Sequence, residues 1–258
     1  MNSKNIKKYK AFKGQKLPDR TWPDNEITQA PTWCSVDLRD GNQALVTPMT
    51  LDQKVELFKL LVKIGFKEIE VGFPSAAEVE YQFLRTLIEE DLIPDDVTIQ
   101  VLTQAREHLI KRTIEAIQGS KQAIVHVYNS VSVAQRKVVF QKSKNEIKQI
   151  ALQGIEWIKK YQKDSKTKIL LEYSPESFTG AELDFSIEIC NAVIDAWGGS
   201  DPIIINLPAT VELFAPNIYA DMIEASSRQL IQRDRVILSV HTHNDRGTST
   251  AATELALL

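Results

Sequence analysis

The stretch "VILSVHTHNDRG" (residues 236–247) is a run of apolar and β-branched residues that ends abruptly in two histidines, an asparagine and an aspartate. Continuous apolar runs of this kind mark strands buried on both faces, as in parallel sheets. The same form recurs along the chain. "TWCSVDL" (32–38), "EIEVGF" (68–73), "VTIQVLT" (97–103), "QAIVHVYNS" (122–130), "TKILLEYSPE" (167–176) and "PIIINLPAT" (202–210) all read as strands. Stretches with helical spacing lie between them, at 50–66, 77–92, 105–119, 143–164, 181–198 and 217–232, and 247–258 begins another. Thr50 is expected to cap its helix, and Pro94 and Gly119 to stop theirs. Seven β/α repeats of this kind predict a parallel sheet with helices outside it.

A doubly wound sheet and an eight-stranded barrel both fit that alternation. No Gly-rich phosphate-binding fingerprint follows the first strand. Nearly every strand ends in polar or reactive side chains: "DLRDGNQ", "VGFPS", "LTQ", "HVYNS", "EYSPES", "NLPATVE" and "HTHND". A barrel builds its site from the C-terminal ends of many strands. The expected fold is therefore α/β, a TIM (β/α)8 barrel with seven of its eight units present. Residues 1–30 are expected to form an N-terminal arm and residues 31–258 the incomplete barrel. A barrel short of one strand has two unpaired edges, so the chain is expected to fold poorly unless a partner fills the gap.

Composition narrows the function classes. Hydrophobic residues make up 43% and charged residues 25% of the 258, which is ordinary for a globular domain. A net charge of -3 gives no reason to expect nucleic acid or an anionic membrane as partner. Cys34 and Cys190 are far apart, which suits a reducing compartment rather than a disulfide framework. No stretch reaches the roughly 20 apolar residues of a membrane span. The N-terminal residues lack an apolar h-region and read as a polar arm in preference to a transit peptide.

His241 and His243 are two apart on a strand, so they face the same side. Two same-facing imidazoles at a barrel mouth are a standard way to hold a divalent metal. Asp37, Arg39 and Asp40 end the first strand. In a closed barrel that strand is only one strand away from the seventh, so Asp40 comes within reach of the histidines. Asp40-Gly41-Asn42 is also turn chemistry, and a turn can hold a ligand in place. Two histidines and an aspartate leave positions open for water or a chelating substrate and suit Mg, Mn or Zn. Arg39 fits either an oxyanion or carboxylate contact or a structural ion pair. His126 fits either a substrate contact or a satisfied core histidine. Glu172 and Glu176 fit acid–base work or simple capping. Thr210 fits a substrate carboxylate or a turn cap. His108 reads as solvated surface.

Seven motifs in order, "DLRDGNQAL", "GFKEIEVGFPSA", "IPDDVTIQVLTQ", "AIVHVYNSVSVAQRKVVF", "EYSPESFTGAELDF", "INLPATVE" and "VHTHNDRGT", closely resemble the 2-isopropylmalate synthase family, in its longer actinobacterial and fungal form. The resemblance implies a metal-dependent Claisen-condensing TIM barrel. It implies joining acetyl-CoA to 3-methyl-2-oxobutanoate to give 2-isopropylmalate and CoA, the first committed step of leucine synthesis. By the same resemblance Asp40, His241 and His243 are metal ligands, and Arg39 stabilises the developing alkoxide. His126, Glu176 and Thr210 belong to the keto-acid pocket, with Thr210 on the carboxylate and Glu176 also in a catalytic role. The implied metal is Mg²⁺, with Mn²⁺ or Zn²⁺ as substitutes and K⁺ as an activator. A homodimer in the cytoplasm, or in mitochondria for a fungal source, is also implied. The family's eighth-strand Gly-Asn-Gly-Glu motif, its C-terminal subdomain with a His and a Tyr, and its leucine-binding domain have no counterpart here. An inactive fragment, or a sister homocitrate or citramalate synthase, is the alternative expectation.

Overall fold

In the computed structural model, which describes residue 14 and residues 16–258, seven strands lie side by side in one sheet in the order of the sequence. They are β1 (Cys34–Ser35), β2 (Glu68–Gly72), β3 (Thr98–Gln104), β4 (Gln122–Ser130), β5 (Lys168–Glu176), β6 (Ile203–Ala209) and β7 (Val236–Thr242). Every neighbouring pair is parallel. The helices between and after them are α1 (Leu51–Ile64), α2 (Glu78–Glu89), α3 (Glu107–Ala116), α4 (Lys144–Gln162), α5 (Leu183–Trp197), α6 (Pro216–Gln229) and α7 (Ser249–Leu257). These are seven β/α units of a TIM-type barrel, as the repeats predict.

Local chemistry sets the boundaries. The Thr50 side chain accepts from Gln53 N while the Gln53 side chain accepts from Thr50 N, which caps α1 reciprocally. Gly65 closes the same helix at φ 113°, a left-handed conformation that suits glycine. Ser143 and Glu146 cap α4 in the same reciprocal way. Two expected stops differ from what is found. Helix α2 ends at Glu89, well before Pro94. Asp91 turns left-handed at φ 53°, and Leu92 N returns to Leu87 O at 2.9 Å, so a turn ends the helix and not the proline. Helix α3 ends at Ala116, and Gly119 (φ 95°) lies just beyond it.

Strand β1 is shorter than the 32–38 run predicts. Residues Asp37–Gly41 coil into a tight helical turn in which Val36 O accepts from Arg39 N, Asp40 N and Gly41 N at 3.2, 2.8 and 3.1 Å. Leu38 anchors this turn, with no exposed surface.

The apolar core lies between sheet and helices. Alternate strand residues such as Ile69, Val71, Ile99, Val101, Val125, Val127, Leu171 and Ile205 belong to it. The other face, inside the curl, carries Glu70, Gln100, His126, Glu172, Ser174 and Asn206, all buried. Strand β6 is buried throughout, whereas β7, paired on one side only, leaves Ile237 49% exposed.

Residues 1–13 and 15 of the expected arm lie outside the described residues. Its later part lies along α6. Arg20 donates to both Asp221 oxygens at 2.7 and 2.8 Å, and Trp22 Nε1 donates to Asp221 Oδ1 at 2.8 Å. Among the described residues, no helix is long and apolar enough to cross a membrane.

Candidate active site

The turn after β1 aims Asp40 across the mouth of the sheet at β7. Its Oδ2 lies 3.2 Å from His241 Nε2 and 3.1 Å from His243 Nε2. One donor atom from each of the three residues falls within 4.8 Å of the others. Donors grouped this closely are those that could serve one divalent cation. Among the described residues no other group of His, Cys, Asp and Glu side chains converges in this way. Hydrogen bonds from His241 and His243 hold the Asp40 carboxyl well below the usual carboxylate range, against partial burial. The bond to Asp40 in turn raises His243. Asp37 takes no part: it is exposed, and Ser35 Oγ donates to its Oδ2 at 2.6 Å.

The backbone around His243 is braced from β6. His243 N donates to Ala209 O at 3.2 Å. Glu212, buried in the loop after β6, accepts from Thr248 N at 3.1 Å and from Arg246 N, while its own N–H donates to Asp245 at 2.8 Å. The loop carrying the second histidine is thereby tied on both sides.

Behind the metal candidate lies a buried polar chain. Arg39 Nε donates to Glu70 Oε2 at 2.6 Å, and Arg39 Nη1 lies 3.0 Å from Asp40 Oδ1. Glu70 Oε1 lies 3.0 Å from His126 Nδ1. A carboxylate only accepts, so the His126 Nδ1 proton points at Glu70. His126 Nε2 faces Ser174 Oγ at 2.7 Å and Glu172 Oε1 at 3.4 Å. Burial works against the Glu70 carboxylate, but Arg39 and His126 outweigh it and hold it at about 2. Burial pushes Glu172 up to about 7, with His126 pulling the other way. One glutamate is thus ionised and its neighbour half-neutral at pH 7, a separation set by which of them has the arginine.

Seven of the sequence-expected site residues line one cleft of about 480 Å³: Arg39, Asp40, His126, Glu176, Thr210, His241 and His243. That size suits a small-molecule site. Arg39 and His126 are each ion-paired, and each also lines the cleft. Glu176 and Thr210 are linked through Ser177, whose Oγ donates to Glu176 Oε1 at 2.7 Å and whose N donates to Thr210 Oγ1 at 2.9 Å. Glu172 lies deeper, against His126, and is not among the cleft-lining residues. His108 is exposed, as read.

Sequence reasoning missed Glu70, Gln100, Tyr128, Ser174 and Asn206. Gln100 Nε2 donates to Glu70 at 3.2 Å, and Asn206 Nδ2 donates to Ser174 at 2.7 Å. Asn206 Oδ1 is buried in the cleft wall and has no hydrogen-bond partner among the described residues. A signal was there for Glu70: a carboxylate within a strand buried on both faces needs a partner.

Residues 30–258 match the HMGL-like family profile. The chain belongs to the HMGL-like family. It is 60% identical to the 2-isopropylmalate synthase of Clostridium acetobutylicum over 256 residues, 97% of this chain and 46% of the relative. It is 56% identical to that of Parafrankia sp. over 257 residues, 98% of this chain and 46% of the relative. The chain therefore spans about half the length of the curated relatives it matches. Among solved structures it is similar to the hydroxymethylglutaryl-CoA lyase of Pseudomonas aeruginosa, with a TM-score of 0.64 and 18% identity over 87% of this chain and 71% of that one. At that identity the likeness speaks for the HMGL-like barrel fold alone.

Proposed function

We propose that this chain carries the metal and keto-acid site of a 2-isopropylmalate synthase. The reaction is the Claisen condensation of acetyl-CoA with 3-methyl-2-oxobutanoate to 2-isopropylmalate and CoA. The observation that carries the reading is the meeting of Asp40, His241 and His243 beside Arg39 in one cleft, in a chain 60% identical to such a synthase. The donor set of one carboxylate and two imidazoles fits a divalent cation, Mg²⁺ first and Mn²⁺ or Zn²⁺ as substitutes. A cation held there supplies Lewis-acid polarisation of a bound carbonyl.

The chain's own residues bind and orient the keto acid. Thr210 Oγ1 and its neighbour Ser177 orient the keto-acid carboxylate. Arg39, clamped by Glu70, presents a fixed guanidinium to the oxygen on which negative charge develops, and needs no reorganisation to do so. His126, fixed by Glu70 and Ser174, and Glu176 bound the pocket and set its polarity. The reading carries with it acetyl-CoA as co-substrate, K⁺ as an activator, a homodimer, a part in leucine synthesis and, by analogy with the bacterial relatives, a cytoplasmic location.

The test is CoA-thiol release by the purified chain with acetyl-CoA, Mg²⁺ or Mn²⁺, and 3-methyl-2-oxobutanoate, 2-oxoglutarate or pyruvate. Release that depends on the branched keto acid and disappears in His241→Ala is expected. Preference for 2-oxoglutarate or pyruvate would overturn the substrate, in favour of a homocitrate or citramalate synthase. Silence from a folded chain that still takes up Mn²⁺ would overturn the sufficiency of these residues for turnover.

A further inference from the structure

Lys54 is a lysine in the wrong place for a surface helix. It sits on α1 with its side chain fully buried. Its ammonium is ion-paired with Glu80, at the start of α2, whose side chain is 17% exposed. It also lies 3.5 Å from the main-chain oxygen of Leu38 and 5.3 Å from the centre of the Phe83 ring. Leu38 belongs to the turn Asp37–Gly41, directly before Arg39 and Asp40.

Stability is a poor reason for such a pair. Taking an ammonium and a carboxylate out of water is costly, and apolar replacements of buried pairs are often neutral or stabilising. The surroundings are nonetheless shaped for it. At Gly72, the last residue of β2, an added Cβ would lie 2.1 Å from Glu80 Oε2. The bare end of β2 leaves room for the Glu80 carboxylate where it stands. Lys54 of α1 reaches the Leu38 carbonyl, Glu80 of α2 pairs with Lys54, and the end of β2 lies against Glu80.

We infer that Lys54, paired with Glu80, is a positioning residue that holds the turn Asp37–Gly41 in the shape that delivers Asp40 and Arg39 to the metal site. This rests on the metal site proposed above. Lys54 touches neither cation nor substrate. It acts through the Leu38 carbonyl, much as partners behind a ligand fix its orientation elsewhere. The turn is also held by Val36 O, which three N–H groups share, by Asn42 N–H on the Arg39 and Asp37 carbonyls, and by the Arg39–Glu70 pair; Lys54 is the side chain that reaches it from α1. The Lys54 ammonium on the Leu38 oxygen ties the turn to α1.

The experiment is a Mn²⁺ titration by calorimetry, without substrate, of the wild-type chain, of K54M/E80Q and of E80Q. Binding by the double variant is expected to weaken about tenfold, with its metal-free circular dichroism and thermal midpoint matching wild type. An unchanged Kd in the folded double variant overturns the inference. Should that variant not fold, E80Q decides: it keeps the lysine and removes its counter-charge, so severalfold weaker binding supports the inference and an unchanged Kd overturns it. If the wild-type chain takes up no Mn²⁺ at all, the metal site itself is wrong and this inference falls with it. That outcome is separate from a variant that binds as wild type does.

Discussion

Asp40 and His243 meet at 3.1 Å although 203 residues separate them. One stands on the turn after β1 and the other just beyond β7, and these are the two edge strands of the sheet, which do not pair with each other. The candidate ligands thus come from opposite ends of an open curl. A cation bound by both edges is a clamp on the whole sheet, and anything that binds only the folded form stabilises it. Saturating Mn²⁺ is expected to raise the thermal midpoint, by an amount corresponding to roughly 2.7 kcal/mol at a hundredfold excess over Kd. His243→Ala should abolish the shift. A midpoint that rises equally in wild type and variant would place the bound ion elsewhere.

The clamp depends on Arg39 being held still. Glu70 is fully buried and answers both Arg39 and His126. Glu70→Gln keeps the shape and removes the charge, leaving a guanidinium only 10% exposed with Asp40 as its remaining counter-charge. Breaking a buried pair from one side costs about 3 kcal/mol. Urea unfolding at pH 7 should show a loss of that order, together with weaker keto-acid binding. A loss well under about 1 kcal/mol would mean that the charge on Glu70 does not support the fold.

Much of this fold could be read from period and punctuation, because strands and caps are local. "QAIVHVYNS" is β4 residue for residue, and Thr50 and Ser143 cap helices where Ser and Thr should. The metal candidate was legible because its three residues stand at strand ends, where a barrel puts its chemistry. The polar chain inside the curl was not. Glu70, His126 and Glu172 lie 56 and 46 positions apart, and nothing local tells Glu70 from Glu172. Which carboxylate is ionised depends on where Arg39 points. Lys54 reads as one more solvated charge on an amphipathic helix. Its burial follows from how α1 and α2 pack over the Asp37–Gly41 turn, a tertiary fact.

Asp221 is the buried anchor of the described part of the N-terminal segment. Asp221 is fully buried and accepts three side-chain hydrogen bonds, two from Arg20 and one from Trp22. Asp221→Ala removes all three acceptors. Hydrogen bonds to a charged group are worth roughly 1.5–3 kcal/mol each at best, less where one partner is half exposed as Arg20 is. The expected outcome is release of residues 19–25 from α6, seen as faster tryptic cleavage after Arg20 and a change in tryptophan emission. The barrel should stay folded. Cleavage at the wild-type rate would show that Glu224 and Arg228, which bind Thr21 and Asp19, are enough.

Glu172 makes stability depend on pH in an unusual direction. Burial raises its carboxyl from 4.5 to about 7 in the folded protein. Between those values the folded state holds a proton that the unfolded state has lost. Stability therefore falls as pH rises through that window. The contribution is fully present below about 4.5 and gone above about 7. Its full size is on the order of 3 kcal/mol, from about 1.4 per pH unit. Glu70 behaves in the opposite way, since its carboxyl is lowered to about 2 and its contribution is lost only in strong acid. The two do not overlap near neutrality. Glu172→Gln mimics the neutral acid at every pH. Urea unfolding at pH 5, 6, 7 and 8 should therefore show the variant gaining on wild type step by step, with most of the gain between pH 5 and 7. Parallel pH profiles would mean that Glu172 is already ionised at pH 5 in the folded chain, held so by His126.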